Sequence, residues 1–422
     1  MSMGIFDGKR YFVYGDGASG RAACRALRKN GGKAKIYTDE CGAFAEPQKA
    51  NYDGAVISPG IRPTHAVYDY CARNGIETLS EAELGFMLAK TPIVGVTGTN
   101  GKTTVTRLIA DMTGAVACGN IGYPVSAAAA KNVPLVCELS SFQLYNSEHI
   151  APRVAVITNI ASDHIDWHGS EAEYFRCKCN IARQAKVLVL GENIPLRALD
   201  TLNTDADVLR CSTERHVDGA YIDKGYFWFC GRRVCPVDYY RLQGKHNLEN
   251  ALCSVAAASV MGADNRKILA ALASATLSPH RVAPVGSFGG KRWIDDSKGT
   301  NIAATLAAVN VTDGRVCLIT GGRDKGLDFD TLFAALDERV ENVIAMGESA
   351  QSIRDSGAKY GRAITVVNGL SDAVTAAAEI ECDAVLLSPA CASFDEFDNY
   401  AERGEAFSSA VRALYSDRKH KK

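Results

Sequence analysis

Long apolar runs are missing from this 422-residue chain. No stretch of about 18 residues is apolar enough to cross a bilayer as a helix, so membrane-spanning helices are excluded. An excess of charge of either sign is missing too. Lys plus Arg number 47 against 48 Asp plus Glu, so no global field favours nucleic acid or an anionic membrane, and a small-molecule substrate is expected. CxxC pairs are also absent. The fourteen cysteines are scattered, the closest being Cys177 with Cys179 and Cys230 with Cys235, and no histidine-bearing zinc pattern surrounds them. Free thiols in a reducing compartment are the expectation. Met1 to Tyr14 carries Asp7, Lys9 and Arg10 without an apolar signal region, which points to the cytoplasm.

At roughly 100 to 200 residues per domain, the length allows two to four domains, and three are expected. Three stretches each open on a strand and a glycine turn, and their boundaries are placed at 1–90, 91–277 and 278–422. The first runs from Tyr11-Phe-Val-Tyr14 through Gly15-Asp-Gly-Ala-Ser-Gly20 into a helix to about Lys29, with strands at Ala34 to Tyr37 and Ala55 to Ser58. The second opens at Pro92-Ile-Val-Gly-Val96 and turns into a helix whose Val105, Leu108, Ile109 and Met112 repeat at helical spacing. Strands are expected at Leu135 to Cys137, Val154 to Thr158 and Val187 to Leu190, a hairpin insertion around Gly231-Arg232, and a helix near Asn247, which reads as an N-cap. The third alternates strands at Trp293 to Asp295, Val316 to Thr320, Val343 to Met346, Ile364 to Val367 and Ala384 to Leu387 with helices. Such alternation predicts an α/β chain with parallel, doubly wound sheets and a frayed tail from Asp417 to Lys422.

The strongest chemical signal is Gly95-Val-Thr-Gly-Thr-Asn-Gly-Lys-Thr-Thr104. Small residues let backbone N–H groups of Gly98, Thr99, Asn100, Gly101 and Thr104 point at phosphate oxygens, the helix start adds its positive end, and Lys102 reaches the outer phosphates. Thr103 is placed to ligate magnesium. A strict GxxxxGK[ST] loop would have glycine at position 96, where this chain has Val96. Gly15-x-Gly17-x-x-Gly20 with Asp39 outlines a dinucleotide fingerprint. Taken alone it suggests NAD, but beside a second nucleotide loop it suits a nucleotide-linked substrate held by its diphosphate, and a plain strand-to-helix turn is the remaining reading. Glu138 and Asp163-His164-x-Asp166 both end apolar strands, where α/β sites form, and Glu138 would suit magnesium. Lys245-His-Asn-Leu-Glu-Asn250, Pro279-His-Arg281, Asp295-Asp-Ser-Lys-Gly-Thr-Asn301 and Gly321-Gly-Arg-Asp-Lys325 are each compatible with a cap or turn when taken singly.

Taken together, the order of these motifs with Tyr174 to Lys178 resembles the Mur ligases over nearly the whole chain. The run Ser388-Pro-Ala-Cys-Ala-Ser-Phe-Asp-Glu-Phe-Asp-Asn-Tyr-Ala-Glu-Arg-Gly404 resembles the D-glutamate-adding branch, and Ser58-Pro-Gly-Ile61 agrees. The resemblance implies a Rossmann-like N-terminal domain, a central P-loop domain and a Rossmann-like C-terminal domain. It implies ATP- and magnesium-dependent amide formation between UDP-N-acetylmuramoyl-L-alanine and D-glutamate in the cytoplasm, by a monomer that neither binds nucleic acid nor inserts into membranes. Thr103, Glu138, His164 and a carbamylated Lys178 would surround the metal, although Tyr174 to Ala182 otherwise reads as an exposed helix. Asn247, Asn250, Arg281 and Asp296 would meet the nucleotide, with Lys298 beside them. Thr300, Lys325, Ser393, Phe394 and Tyr400 would hold D-glutamate. Ala18, Ser19, Asp39 and Ser58 would meet the UDP end, and Asn120, Ser140 and Gln143 the muramoyl-alanine arm. Closure about Leu277 to Pro284 is implied as well.

Two positions depart from the family pattern. The uridine site commonly has an acid and an arginine after the second strand, where this chain reads Tyr37-Thr-Asp-Glu40, and position 400 is Tyr where Phe is common. A folylpolyglutamate synthase shares the central loop, but the N-terminal glycine turn and the Ser388 to Gly404 run argue against it. A noncatalytic nucleotide-binding scaffold is opposed by the joint presence of Lys102, Glu138, His164, Lys178 and Lys298.

Overall fold

The computed structural model describes residues 5–47, 51–145, 147–242, 244–276 and 278–419. The chain divides into two compact units, Met1–Ser162 with Trp167–Ala275, and Asp163–Asp166 with Thr276–Lys422. Among the described residues there are three sheets, two in the first unit and one in the second. The expected boundary residue Leu277 and positions 420–422 of the tail lie outside the described residues, and the helix Tyr400–Lys419 continues through the part of the tail expected to fray.

The first sheet consists of β1 (Arg10–Tyr14), β2 (Lys33–Tyr37), β3 (Gly54–Ile57) and β4 (Thr78–Ser80), all parallel in the order β2-β1-β3-β4. Alternate residues of β1 feed opposite cores, Tyr11 and Val13 with Leu27 and Val56 on one face, Phe12 and Tyr14 with Ile57 and Val67 on the other. A sheet buried on both faces needs crossover helices. Ala18–Lys29 serves as one, burying Ala22, Ala23, Ala26 and Leu27 and placing Arg28 and Lys29 at its negative end.

The second sheet has nine strands: β5 (Ile93–Thr97), β6 (Val116–Gly119), β7 (Leu135–Glu138), β8 (Val154–Ile157), β9 (Val187–Leu190), β10 (Asp207–Ser212), β11 (Gly219–Asp223), β12 (Tyr226–Phe229) and β13 (Arg232–Pro236). Their order is β13-β12-β11-β10-β9-β8-β5-β7-β6, and β5 to β11 run parallel. The expected hairpin forms across Cys230 and Gly231, whose φ values of 46° and 74° suit the left-handed turn that joins twisted strands. It is attached to the central domain, as expected. Through β10 and β11 it hydrogen-bonds onto the central sheet and extends it.

The third sheet, in the second unit, contains β14 (Ala283–Phe288), β15 (Lys291–Asp295), β16 (Val316–Gly321), β17 (Val340–Met346), β18 (Ile364–Val366) and β19 (Ala384–Leu387) in the order β14-β15-β19-β16-β17-β18. Only β14 runs antiparallel to its neighbour. Leu318, Leu332, Phe333 and Leu386 fill one face, and Trp293, Ile319, Leu387 and Phe407 the other.

Candidate active site

The phosphate loop links β5 to the helix Lys102–Thr113, whose N-cap Gly101 supplies no side-chain cap and whose first turn carries no acid. A helix start of this kind points its leading N–H groups and its positive end toward the loop, the arrangement that suits an anion. Gly98 has φ 148°, and a Cβ there would run into the Thr158 hydroxyl and the Asn159 backbone. At Gly101, φ 80°, a Cβ would meet the Asn250 amide, which places Asn250 of the helix Lys245–Val260 against the loop. Thr158, Asn159 and Tyr174 brace it. Thr158 Oγ1 donates to Asn100 O at 2.6 Å, Asn100 N donates to Asn159 Oδ1 at 2.9 Å, and the Thr99 and Tyr174 hydroxyls lie 2.9 Å apart.

Around this loop the structure gathers five of the expected residues, Lys102, Thr103, Asn120, Glu138 and Lys178. Thr103 Oγ1 donates to Glu138 Oε2 at 2.8 Å, and Asn120 Nδ2 donates to Glu138 Oε1 at 3.2 Å. Glu138 is buried, so a carboxylate bonded by neutral donors at the head of the loop offers a hard oxygen to a divalent cation. Lys102 Nζ donates to Gly98 O and Thr99 O at 2.8 and 2.7 Å. Lys178 corrects the exposed-helix reading. It is 2% exposed, its Nζ donates to Gly98 O at 2.7 Å, and the Tyr174 ring lies 4.7 Å beneath it. Among the described residues no group of three or more His, Cys, Asp or Glu side chains forms a ready-made metal site. Magnesium does not require one, because it commonly keeps waters and substrate phosphates among its ligands.

His164 belongs to the second unit, in Asp163–Asp166. Its φ is 54°, and Asp163 Oδ1 accepts its backbone N–H at 2.9 Å. The same carboxylate takes Asn301 Nδ2 at 3.3 Å and Lys325 Nζ at 3.4 Å, and Lys325 also donates to Thr300 O at 3.1 Å. His280 Nδ1 and Asp295 Oδ2 are 2.7 Å apart, and Lys298 Nζ lies 5.2 Å from the centre of the Tyr400 ring. Phe394 is exposed and Ser393 buried. Arg403 was not singled out from the sequence, yet it is buried and ties two segments together: Nε and Nη2 donate to Ser297 Oγ and O at 2.9 Å, and Nη1 and Nη2 to the carbonyls of Ala392 and Cys391.

Asp296 is buried, takes the Ser388 hydroxyl at 2.7 Å and Val282 N at 3.2 Å, and burial pushes its carboxyl up to about 7 against the pull of Arg281 and Ser388. Because the folded value lies above the ordinary 3.8, the native state keeps a proton that the unfolded chain has lost. This group's contribution to stability therefore falls between about pH 4 and 7, by up to about 1.4 kcal/mol per unit. Asp296→Asn, which can still accept from Val282 N and bond Ser388, is expected to melt several degrees above the wild type at pH 8 and level with it at pH 4. Differential scanning calorimetry at the two pH values checks this; equal melting at pH 8 contradicts it.

At the carboxyl end of the first sheet, Ala18 and Ser19 open the helix after the glycine turn, and Ser58 Oγ donates to Gly15 O at 3.4 Å. Asp39 accepts the Tyr14 hydroxyl at 2.6 Å and lies 3.1 Å from His65 Nε2. Tyr14 holds its carboxyl below the usual range. One expectation is revised. Asn247 lies inside the first turn of a helix capped by Gly244, so it is not the N-cap. The cap before Ile302 is Asn301, which accepts Ala304 N at 2.9 Å. Ser140 and Gln143 form the capping box of the short helix Ser141–Leu144, bonded to each other at 3.0 Å. Hollows of about 690 and 770 Å³, lined by Phe86, Arg153 and Arg183 and by Val208, His216 and Tyr221, contain none of the expected site residues.

The Mur ligase middle domain matches residues 96–258, and the Mur ligase glutamate ligase domain matches residues 280–391. The chain is 36% identical to the UDP-N-acetylmuramoylalanine--D-glutamate ligase of Streptococcus pneumoniae (strain P1031), over 97% of this chain and 98% of that protein. It is 35% identical to the ligase of the same name from Caldanaerobacter subterraneus subsp. tengcongensis, over 96% and 98%. The chain belongs to the UDP-N-acetylmuramoylalanine--D-glutamate ligase family. Among solved structures, a UDP-N-acetylmuramate-alanine ligase, MurC from Thermotoga maritima, aligns with TM-score 0.61 and 17% identity over 96% of this chain and 99% of that one. Mycobacterium tuberculosis folylpolyglutamate synthase complexed with ADP and AMPPCP aligns with TM-score 0.57 and 20% identity over 79% and 94%. At these identities the likeness is one of fold, and the D-glutamate-ligase family is the assignment that the near-full-length relatives support. Among the described residues no helix of this family member is long and apolar enough to cross a membrane.

Proposed function

We propose that this ligase activates the carboxylate of UDP-N-acetylmuramoyl-L-alanine with ATP and joins it to the amine of D-glutamate, in the cytoplasmic phase of peptidoglycan synthesis. The observation that carries this reading is the glycine loop that enters the helix Lys102–Thr113, with no acid in its first turn, beside the buried Thr103–Glu138 pair. In the first step a carboxylate oxygen attacks the γ-phosphorus and ADP leaves. The product is an acyl phosphate. In the second, the D-glutamate amine attacks the acyl carbon, a tetrahedral oxyanion forms and collapses, and phosphate departs as the nitrogen loses its proton.

Each lobe contributes by position. Gly98 to Thr104 hold the phosphates by backbone N–H groups, and Lys102, now satisfied by loop carbonyls, turns outward to neutralise the outer phosphates. Thr103 and Glu138, with His164 and a carbamylated Lys178, would hold magnesium. When bound, the metal screens the repulsion between carboxylate and triphosphate. Asn247, Asn250, Arg281 and Asp296 serve the nucleotide, and Lys298 its developing charge. Lys325, an ammonium set against Thr300 O, pairs a D-glutamate carboxylate in a pocket that includes Ser393, Phe394 and Tyr400. Ala18, Ser19, Asp39 and Ser58 grip the UDP end, and Asn120, Ser140 and Gln143 line the path of the muramoyl-alanine arm. The three expected segments 1–90, 91–277 and 278–422 divide the work as acceptor-, ATP- and amino-acid-binding domains, acting as a monomer.

Phosphate release from ATP is expected only when UDP-N-acetylmuramoyl-L-alanine and D-glutamate are both present. A coupled phosphate assay with D-glutamate, L-glutamate, lysine and diaminopimelate in turn checks this. Equal turnover with any of the other three removes the assignment.

A further inference from the structure

Two buried carboxylates stand on the first turn of the helix Glu81–Leu88, directly after β4. Glu83 is 2% exposed, and both of its oxygens are used. Oε2 accepts Ser80 N at 2.8 Å, closing the capping box of its own helix. Oε1 accepts Glu148 N at 2.6 Å and His149 N at 3.1 Å, main-chain donors 65 and 66 residues further along the chain. Glu81 repeats the arrangement, its Oε1 accepting Ser126 N at 2.7 Å. Desolvation pushes both carboxyls up from the usual range while these N–H donors pull them back, so the bonds offset a real burial cost.

The segments so joined come from the two sheets of the first unit. On one side Ser80 pairs in register with Ile57, the residue before Ser58, at the carboxyl end of the first sheet. On the other, Glu148 and His149 follow the helix Ser141–Leu144, which begins beyond Glu138 and carries Gln143. Taking the ligase reading above as its basis, we propose that Glu83 is a positioning residue: it fixes the span between the elements that hold the UDP end of the acceptor and those that receive its acyl end. A carboxylate suits this joint because both sides present N–H donors. Glutamine can accept on one side only and would turn an NH₂ toward donors on the other.

A positioning role predicts a split that general destabilisation does not. Glu83→Gln is expected to bind UDP alone and ADP alone within about twofold of the wild type, since each meets one side of the joint. It should bind UDP-N-acetylmuramoyl-L-alanine at least about tenfold more weakly, the scale of one lost hydrogen bond to a charged group. Glu81→Gln should show the same pattern at smaller size. Asp264→Ala, which removes the remote N-cap of the helix Asn265–Ala273, supplies the comparison: a lower melting temperature with all three affinities unchanged. Isothermal titration calorimetry of the full chain reads all of these. Whole-substrate affinity unchanged in Glu83→Gln, or UDP and whole substrate weakened equally, overturns the inference. A wild type that binds UDP but not the whole substrate overturns the ligase reading itself, and this inference with it.

Discussion

Lys178→Ala is expected to lose at least about 10²–10³-fold in turnover, the scale of removing one preorganised electrostatic group, and to recover in part when formate or acetate is added. The wild-type side chain is buried against the phosphate loop, with its nitrogen 2.7 Å from Gly98 O. As an ammonium it would add positive charge close to the place proposed for the metal. As a carbamate, formed when the neutral amine attacks carbon dioxide and releases a proton, it presents anionic oxygens of the kind magnesium prefers. Alanine leaves a hole of about the right size for a small carboxylate, which can supply the missing oxygens. The test is a formate and acetate titration of the variant, together with a carbon-13 spectrum of wild type equilibrated with labelled bicarbonate. Full activity of Lys178→Ala at low magnesium, or no carbamate signal in the wild type, defeats the proposal.

Lys102→Ala should abolish measurable turnover, a loss on the order of 10³-fold or more, because the outer phosphates lose the only cation that the loop itself provides. The nitrogen is held by Gly98 O and Thr99 O, so it reaches the phosphates by exchanging two carbonyl contacts for charged ones. ADP affinity should fall much less than turnover, since the backbone N–H groups at Gly101 and beyond remain. Arginine should not rescue, because a planar fork cannot reproduce a compact ammonium in this space. Steady-state kinetics and ADP titration of Lys102→Ala and Lys102→Arg check the prediction: near-normal turnover in Lys102→Ala would mean that the loop lysine is not catalytic, and near-normal turnover in Lys102→Arg would mean that the site does not require a compact ammonium.

What could be read from the sequence was what local pattern controls. β5, the glycine loop and the helix Lys102–Thr113 follow directly from an apolar run, small residues and a helical repeat. Glu138 stands out because it ends an apolar strand, and the structure joins it to Thr103. Besides β10, whose first residues are largely exposed, the strands not expected from the sequence are short or atypical. β4 has three residues, β6 reads Val-Ala-Cys-Gly, and β14 is an edge strand whose register shifts between Pro284 and Gly286. Asparagine at 247 favours a cap, whereas the chain enters the helix three residues earlier at Gly244. The hairpin was visible, but its merger with the central sheet was not, since pairing of β9 with β10 and of β10 with β11 depends on tertiary register. Glu83 sits in a local Ser-x-x-Glu capping spacing, but nothing local announces its bonds to Glu148 N and His149 N, nor the reach of Arg403 to Ser297, 106 residues away.

The central claim is that the acceptor carboxylate is phosphorylated before the amide forms. The most direct measurement uses UDP-N-acetylmuramoyl-L-alanine with both carboxylate oxygens labelled with oxygen-18, together with ATP and D-glutamate, and mass analysis of the phosphate released. An acyl phosphate route predicts one labelled oxygen in each phosphate and one retained in the amide carbonyl, in step with ADP. Phosphate free of label alongside amide product would contradict the account.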